Sequence, residues 1–177
     1  MFKIIGIGVL VIIVALVGYA AVQPSEYFIS REISIRASAD KIFPHLNNAK
    51  LMNAWSPWAE LDPKAKMSFT GPEEGVGSRT SWADGEQLGT GSATVVESVP
   101  NERVRTKLEY IKPFEGVQDA EMSIKPSGTG SLVIWSVRGQ NNLIGRLMCM
   151  FMNMDKMVGG TFEKGLSTLK SRVESGK

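Results

Sequence analysis

The chain has 177 residues, with 20 Lys and Arg set against 18 Asp and Glu, for a formal charge of +2. That near balance gives no electrostatic footprint for nucleic acid. One cysteine, Cys149, excludes an internal disulfide, and one histidine, His45, leaves little for a metal centre or a hydrolytic triad, so no cofactor is expected.

The chain opens with an apolar run, Phe2 to Val22, broken only by Lys3. A helix of that length rises ~30 Å, the hydrocarbon thickness of a bilayer. Residues 1–22 are therefore expected to be a transmembrane anchor. A cleaved signal peptide is the alternative, with Gly18, Ala20 and Ala21 as the small residues, although the run is longer than the ~7–15 residues of a signal core. Arg31, Arg36 and Lys41 beyond the span do not fix its orientation. The domain is expected on the extracytoplasmic side, as short-tailed amino-terminal anchors commonly insert. Residues 23–177 are enough for one domain with a core and too few for two. That domain is expected to be a monomer.

Past Gln23-Pro24-Ser25-Glu26, the segment Phe28–Ile35 carries Ile29, Ile33 and Ile35 on one parity, a first strand. Ser38 precedes a short helix over Ala39–Leu46 that Pro44 should shorten or distort. A further helical turn is expected near Leu51–Trp55. The period then becomes two. Strands are predicted at Met67–Thr70, Arg79–Trp82, Ser92–Ser98, Arg103–Tyr110, Val117–Lys125 and Ser131–Arg138, separated by Gly-, Pro- and Asn-rich turns. Gly75-Val76-Gly77-Ser78 is one of these turns, since no Lys-Ser/Thr follows it to hold a phosphate.

Arg103–Tyr110 alternates throughout, with Arg103, Arg105, Lys107 and Glu109 against Val104, Thr106, Leu108 and Tyr110. Ala120, Met122 and Ile124 similarly oppose Asp119, Glu121, Ser123 and Lys125. One wet face means an antiparallel sheet covered on one side. The cover is a long helix from Asn142 to about Glu174, on which Leu147, Phe151, Met154, Val158, Phe162, Leu166, Leu169 and Val173 recur at helical spacing. The fold class is α+β: a curved antiparallel sheet of about seven strands around a long carboxy-terminal helix, preceded by the anchor.

Several stretches carry a resemblance. They are Ser38-Ala39-Asp40-Lys41-Ile42-Phe43, Trp55-Ser56-Pro57-Trp58, Gly71-Pro72 with Gly75-Val76-Gly77-Ser78, and Trp82 followed by Gly89-Thr90-Gly91. Glu97-Ser98-Val99-Pro100-Asn101-Glu102, Gly128-Thr129 with Val133-Ile134-Trp135, and Phe162-Glu163-Lys164-Gly165-Leu166 complete the set. Over Phe28–Val173 the chain resembles the polyketide cyclase/dehydrase and lipid-transport branch of the START-like (SRPBCC) superfamily, in its membrane-anchored bacterial form. The resemblance implies a helix-grip fold and a ligand cavity. It brings no catalytic motif that can be placed on residues here, and fold alone does not give function.

One helix cannot fill the concavity of such a sheet, so an apolar pocket is expected between the two. Its ligand would be a hydrophobic or amphipathic small molecule, with lipid among the candidates. The expected lining is Trp58, Trp82, Tyr110, Met122, Trp135, Met150, Met154 and Phe162. Core packing competes with pocket lining for the tryptophans and methionines alike. A cyclase or dehydratase would need an acid-base group in the cavity, and strand parity offers only Glu97, with Asp155 beside the helical stripe. A third reading is a protein-interaction or stress-response module whose pocket is closed. His45 is expected to be solvated or capping, and Cys149 a small inert hydrophobe.

Overall fold

The computed structural model describes residues 2–176, with the side chains of all except 2–5 and 9. The first helix, α1, runs Phe2–Val22 and is followed by strand β1, Glu26–Ile35. Three short helices come next: α2 (Ala39–Asn47), α3 (Ala49–Asn53) and α4 (Pro57–Leu61). Six strands follow, β2 (Lys66–Thr70), β3 (Arg79–Ala83), β4 (Thr90–Val99), β5 (Arg103–Lys112), β6 (Gly116–Ser127) and β7 (Gly130–Gln140). The chain closes with α5 (Leu143–Phe151) and α6 (Met154–Ser175).

All seven strands form one antiparallel sheet in the order β1-β7-β6-β5-β4-β3-β2. Its inner face is built in rows that cross the strands. One row is Ile29, Val137, Ala120, Thr106 and Val95; the next is Arg31, Trp135, Met122, Val104 and Ser98. Ile42 and Leu46 from α2, Trp55, and Phe162, Leu166 and Leu169 from α6 close over these rows to make the core. Two glycines let α6 come close. A Cβ on Gly159 would strike the Arg31 guanidinium, and one on Gly165 would lie 2.8 Å from Pro57 Cδ and 2.9 Å from Trp135 Cζ3.

The outer face is charged, as the alternation predicts, with one correction. Parity counted from Ala93 and Val95 places Glu97 inside, but β4 carries a bulge between Val95 and Glu97. One extra residue turns every later side chain to the opposite face. Glu97 therefore pairs outside, 2.7 Å from Arg103 and 2.9 Å from Arg105. The Arg103 and Arg105 hydrogen bonds hold its carboxyl below the usual range.

The covering helix is the second correction. It is two helices, broken at Met152-Asn153. Asn142 caps α5 by accepting from the Gly145 amide at 2.8 Å, and Asn153 caps α6 by accepting from the Lys156 amide at 2.9 Å. A side-chain oxygen that satisfies the first free amides of a helix starts a new one there. The apolar stripe survives on α6, while Phe151 on α5 is 76% exposed. The helical turn expected near Leu51–Trp55 is α3, which ends at Asn53, and α4 follows it with Pro57 in its first turn, where a missing amide costs nothing.

The backbone of α1 is one continuous helix of 21 residues. Among the described residues no helix is long and apolar enough to cross a membrane. Leu10–Val22 is the longest part of α1 whose side chains are all described. The structure gives the helix and not the crossing.

Candidate functional site

Beneath α6 the interior is filled. Trp135 stacks on Phe162 with centroids 4.2 Å apart and planes 5° from parallel, and Trp55 meets Trp135 edge-on at 5.5 Å. The Trp55 indole donates to the His45 carbonyl at 3.0 Å, so its polar end is satisfied. Four residues predicted to line a pocket lie in or against this packed region: Met122, Trp135 and Phe162 are buried, and Trp58 packs against them. His45 is half-buried rather than solvated, and burial pushes its pKa down, with the Arg172 charge adding to this.

Toward the other end of the sheet the inner face loses side-chain volume. The row Tyr27, Gly139, Gln118, Leu108 contains a glycine, and the last row sets Tyr110 between Gly91 and Gly116. Trp82 occupies the space over Gly91, touching Tyr110 edge-on at 5.9 Å, with its indole donating to the Leu88 carbonyl at 3.2 Å. The Tyr27 ring lies over Gly139, where a Cβ would stand 2.6 Å from the phenolic oxygen.

The remaining space is a cleft of about 190 Å³ between the β5–β6 hairpin and α5, bordered by Tyr27, Tyr110, Phe114, Gln118, Ile144 and Met148 among others. A second cleft of about 320 Å³ separates the end of α1 from α5, with Tyr19, Gln23, Arg146, Cys149 and Met150 on its walls. Of the predicted site residues, Tyr110 therefore borders one cleft and Met150 the other. Trp82 stands behind Tyr110, and Met154 is half-buried at the first turn of α6.

Burial pushes the Tyr110 hydroxyl up to about 12. Tyr27 is likewise raised to about 12, first by burial and then by Tyr110 and Cys149 nearby. Both phenols stay protonated at ordinary pH and can donate a hydrogen bond. Tyr110 already donates to Gln118 Oε1 at 3.4 Å, a long bond that a better acceptor would displace. A pair of neutral donors in a cleft that also carries Phe114, Ile144 and Met148 can orient a carbonyl, carboxylate or headgroup oxygen.

Asp155 does not serve the chemistry proposed for it from sequence. It lies 2.9 Å from Arg31 in an exposed ion pair, and Arg31 also reaches Glu163 at 2.7 Å. The Arg31 hydrogen bond holds the Asp155 carboxyl down. Among the described residues no cluster of three or more His, Cys, Asp and Glu could hold a metal.

Residues 29–174 match the sequence family described as polyketide cyclase / dehydrase and lipid transport. The chain belongs to this family. Several solved structures are similar to it in fold. The Aha1 dimer of Colwellia psychrerythraea is 20% identical, with 85% of this chain and 98% of that one covered at a TM-score of 0.57. Protein CV1439 of Chromobacterium violaceum is 14% identical, with 83% and 96% covered at 0.58. Ara h 8.0201 is 10% identical, with 85% and 99% covered at 0.58. At such identities these likenesses establish the helix-grip fold. No curated protein matches the chain in sequence.

The family membership confirms what Trp55–Trp58, Gly89–Gly91 and Phe162–Leu166 suggested. Sequence reading missed Tyr27, Phe114, Ile144 and Met148 as cleft residues. Tyr27 lies just before the strand predicted from Phe28. Ile144 and Met148 sit on a segment read as part of one long helix, although Asn153 ahead of Lys156 was a cap signal available for the break.

Proposed function

We propose that this polyketide cyclase/dehydrase-family domain is a membrane-anchored, monomeric binding module for one apolar or amphipathic small molecule. The ligand's polar end would meet the Tyr27 and Tyr110 hydroxyls, and its apolar part would lie between the β5–β6 hairpin and α5. The single observation that carries this reading is the cleft of about 190 Å³, in which two protonated phenols face Phe114, Ile144 and Met148. Typical ligand pockets hold ~300–1,000 Å³, so binding of a whole lipid would displace α5 outward. Capture of a single chain or headgroup requires less movement.

Anchoring by α1 is supported by its length of 21 residues and by the exposure of Leu10, Val11, Ile12, Ile13 and Val14. The domain would lie on the extracytoplasmic face. The enzyme reading loses both carboxylates advanced for it, since Glu97 and Asp155 are held in ion pairs away from the cleft.

The test is mass spectrometry of small molecules extracted from the full chain after mild detergent purification. A species bound one to one in the parent and depleted in the Tyr27→Phe, Tyr110→Phe double variant is the expected result. Equal, non-stoichiometric lipid in both proteins would refute the proposal.

A further inference from the structure

The orientation of α5 is the reverse of what water selects. None of its residues is buried, and Ile144, Met148 and Phe151, at i, i+4 and i+7, form one exposed apolar face beside Leu143. Its only charged side chain, Arg146, turns inward. One Arg146 terminal nitrogen donates to the Ala21 carbonyl at 2.9 Å and to the Gln23 carbonyl at 3.3 Å. Ala21 lies in the last turn of α1, whose carbonyls a helix leaves without internal partners, and Gln23 just follows it. Arg146 Nε is buried with no partner of its own. A helix in water places its charge outside and its apolar face inside; α5 does the opposite.

Across the cleft, the β5–β6 hairpin shows the same bias. Ile111, Phe114 and Val117 are each more than half exposed. Phe114 and Val117 border the cleft from one side, and Ile144 and Met148 border it from the other. Phe114, Val117, Ile144 and Met148 therefore belong both to the exposed apolar patch and to the cleft wall, where Glu115, Gln140 and Asn142 stand beside them.

We infer that α5 and the β5–β6 hairpin rest in the interfacial layer of the bilayer, so that the cleft opens sideways into lipid rather than into water. This rests on the anchored reading of α1. The argument for lipid as the occupant is continuity. Arg146 fastens α5 directly to the last turn of α1, and Ala20 in that turn is fully buried. A protein partner on the α5 face would have to fit between that face and the membrane that an anchoring α1 enters beside it. Amphipathic helices lie in this layer with their apolar side in the acyl boundary. A ligand would then move from bilayer to cleft without crossing water, and the tyrosine hydroxyls would receive its polar end.

The test uses the full chain in phospholipid vesicles, on a Cys149→Ser background, with a fluorescent label placed at one site at a time. The sites are Phe151→Cys, Val117→Cys, Leu10→Cys and, as a distant control on α6, Ser167→Cys. Lipids carrying a nitroxide near the headgroup should quench the labels at 151 and 117, and lipids carrying it deep in the chain should quench the label at 10. The label at 167 should respond only to aqueous iodide. Deep quenching at 10 with iodide quenching at 151 and 117 would overturn this inference and leave the anchor standing. No lipid quenching at 10 would remove the anchor. In that case lipid quenching at 151 and 117 would still support the interfacial face, and its absence would remove both. Labels at 151 and 117 shielded from lipid and iodide alike would show that a protein, or a second copy, covers the face, and would also overturn the inference.

Discussion

The two ends of one sheet behave differently. Under α6 the inner face is closed by Trp135, with Phe162 stacked on it and Trp55 meeting it edge-on. Toward α5 the strands carry Gly139, Gly116 and Gly91; Tyr27 and Trp82 lie over two of them, and a cleft remains beside Gly116. The difference is a matter of side-chain volume and of which helix covers the row. The core end is stabilised by burial at ~25 cal/mol per Å². The cleft end gives up that burial and keeps space for a ligand. Stability and binding are thus expected to respond to different residues.

Trp135→Ala should separate the two ends most sharply. It removes the centre of the stack and should cost about 3–5 kcal/mol in denaturant unfolding. A loss under ~1 kcal/mol would mean that the core end is also loosely filled. Gly165→Ala should come next. The new methyl meets Pro57 and Trp135 closer than contact allows, and overpacking of this kind costs about 1–3 kcal/mol. Part of that is offset by the better helix propensity of Ala, about 0.5–1 kcal/mol. Asn153→Ala probes the junction of the two regions. Loss of the α6 cap should cost about 0.5–2 kcal/mol, read from the unfolding midpoint.

A smaller effect is expected from acid. The Leu88 and Gln87 amides hold the Asp62 carboxyl below its ordinary range. A carboxylate lowered in the fold contributes stability that is complete above its unfolded pKa of roughly 4 and is lost as pH falls through the folded value. Urea midpoints measured from about pH 6 down to about pH 3 should therefore fall less steeply for Asp62→Asn than for the parent. Glu97, Asp155 and Glu174 are lowered too, so the slope should shrink rather than vanish. The smallest change in stability is expected at the cleft. Phe114→Ala should leave unfolding within about 0.5 kcal/mol of the parent, while reducing the amount of co-purified ligand.

Much of this contrast could be read from the sequence, and the unread part has physical causes. Alternation over Arg103–Tyr110 and over Asp119–Lys125 identified two strands and their faces, because a sustained period of two reads as a half-buried strand. Glu97 was misplaced because a bulge changes parity without changing composition. The helical stripe carried past Met152 because Phe151 and Leu147 continue its spacing, and periodicity does not register a cap. Trp82 and Trp135 share residue type and strand setting, yet one stands behind Tyr110 toward the cleft end and the other lies in the core. What separates them is the identity of their neighbours on other elements, Gly91 on β4 in one case and Phe162 on α6 in the other. That information exists only once the elements are packed.

The register of β1 has a mechanical meaning. β1 leaves the end of α1 after a few residues and pairs with β7 over ten consecutive positions, from Glu26 with Gln140 to Ile35 with Ser131. The bonds between antiparallel strands run perpendicular to the strand axis. A pull transmitted along β1 therefore loads this ladder in shear, sharing the tension among all its bonds, instead of peeling them open singly. With α1 anchored as proposed, a pull on the domain would be borne by this shear direction of the sheet, at the point where the chain passes from α1 into β1.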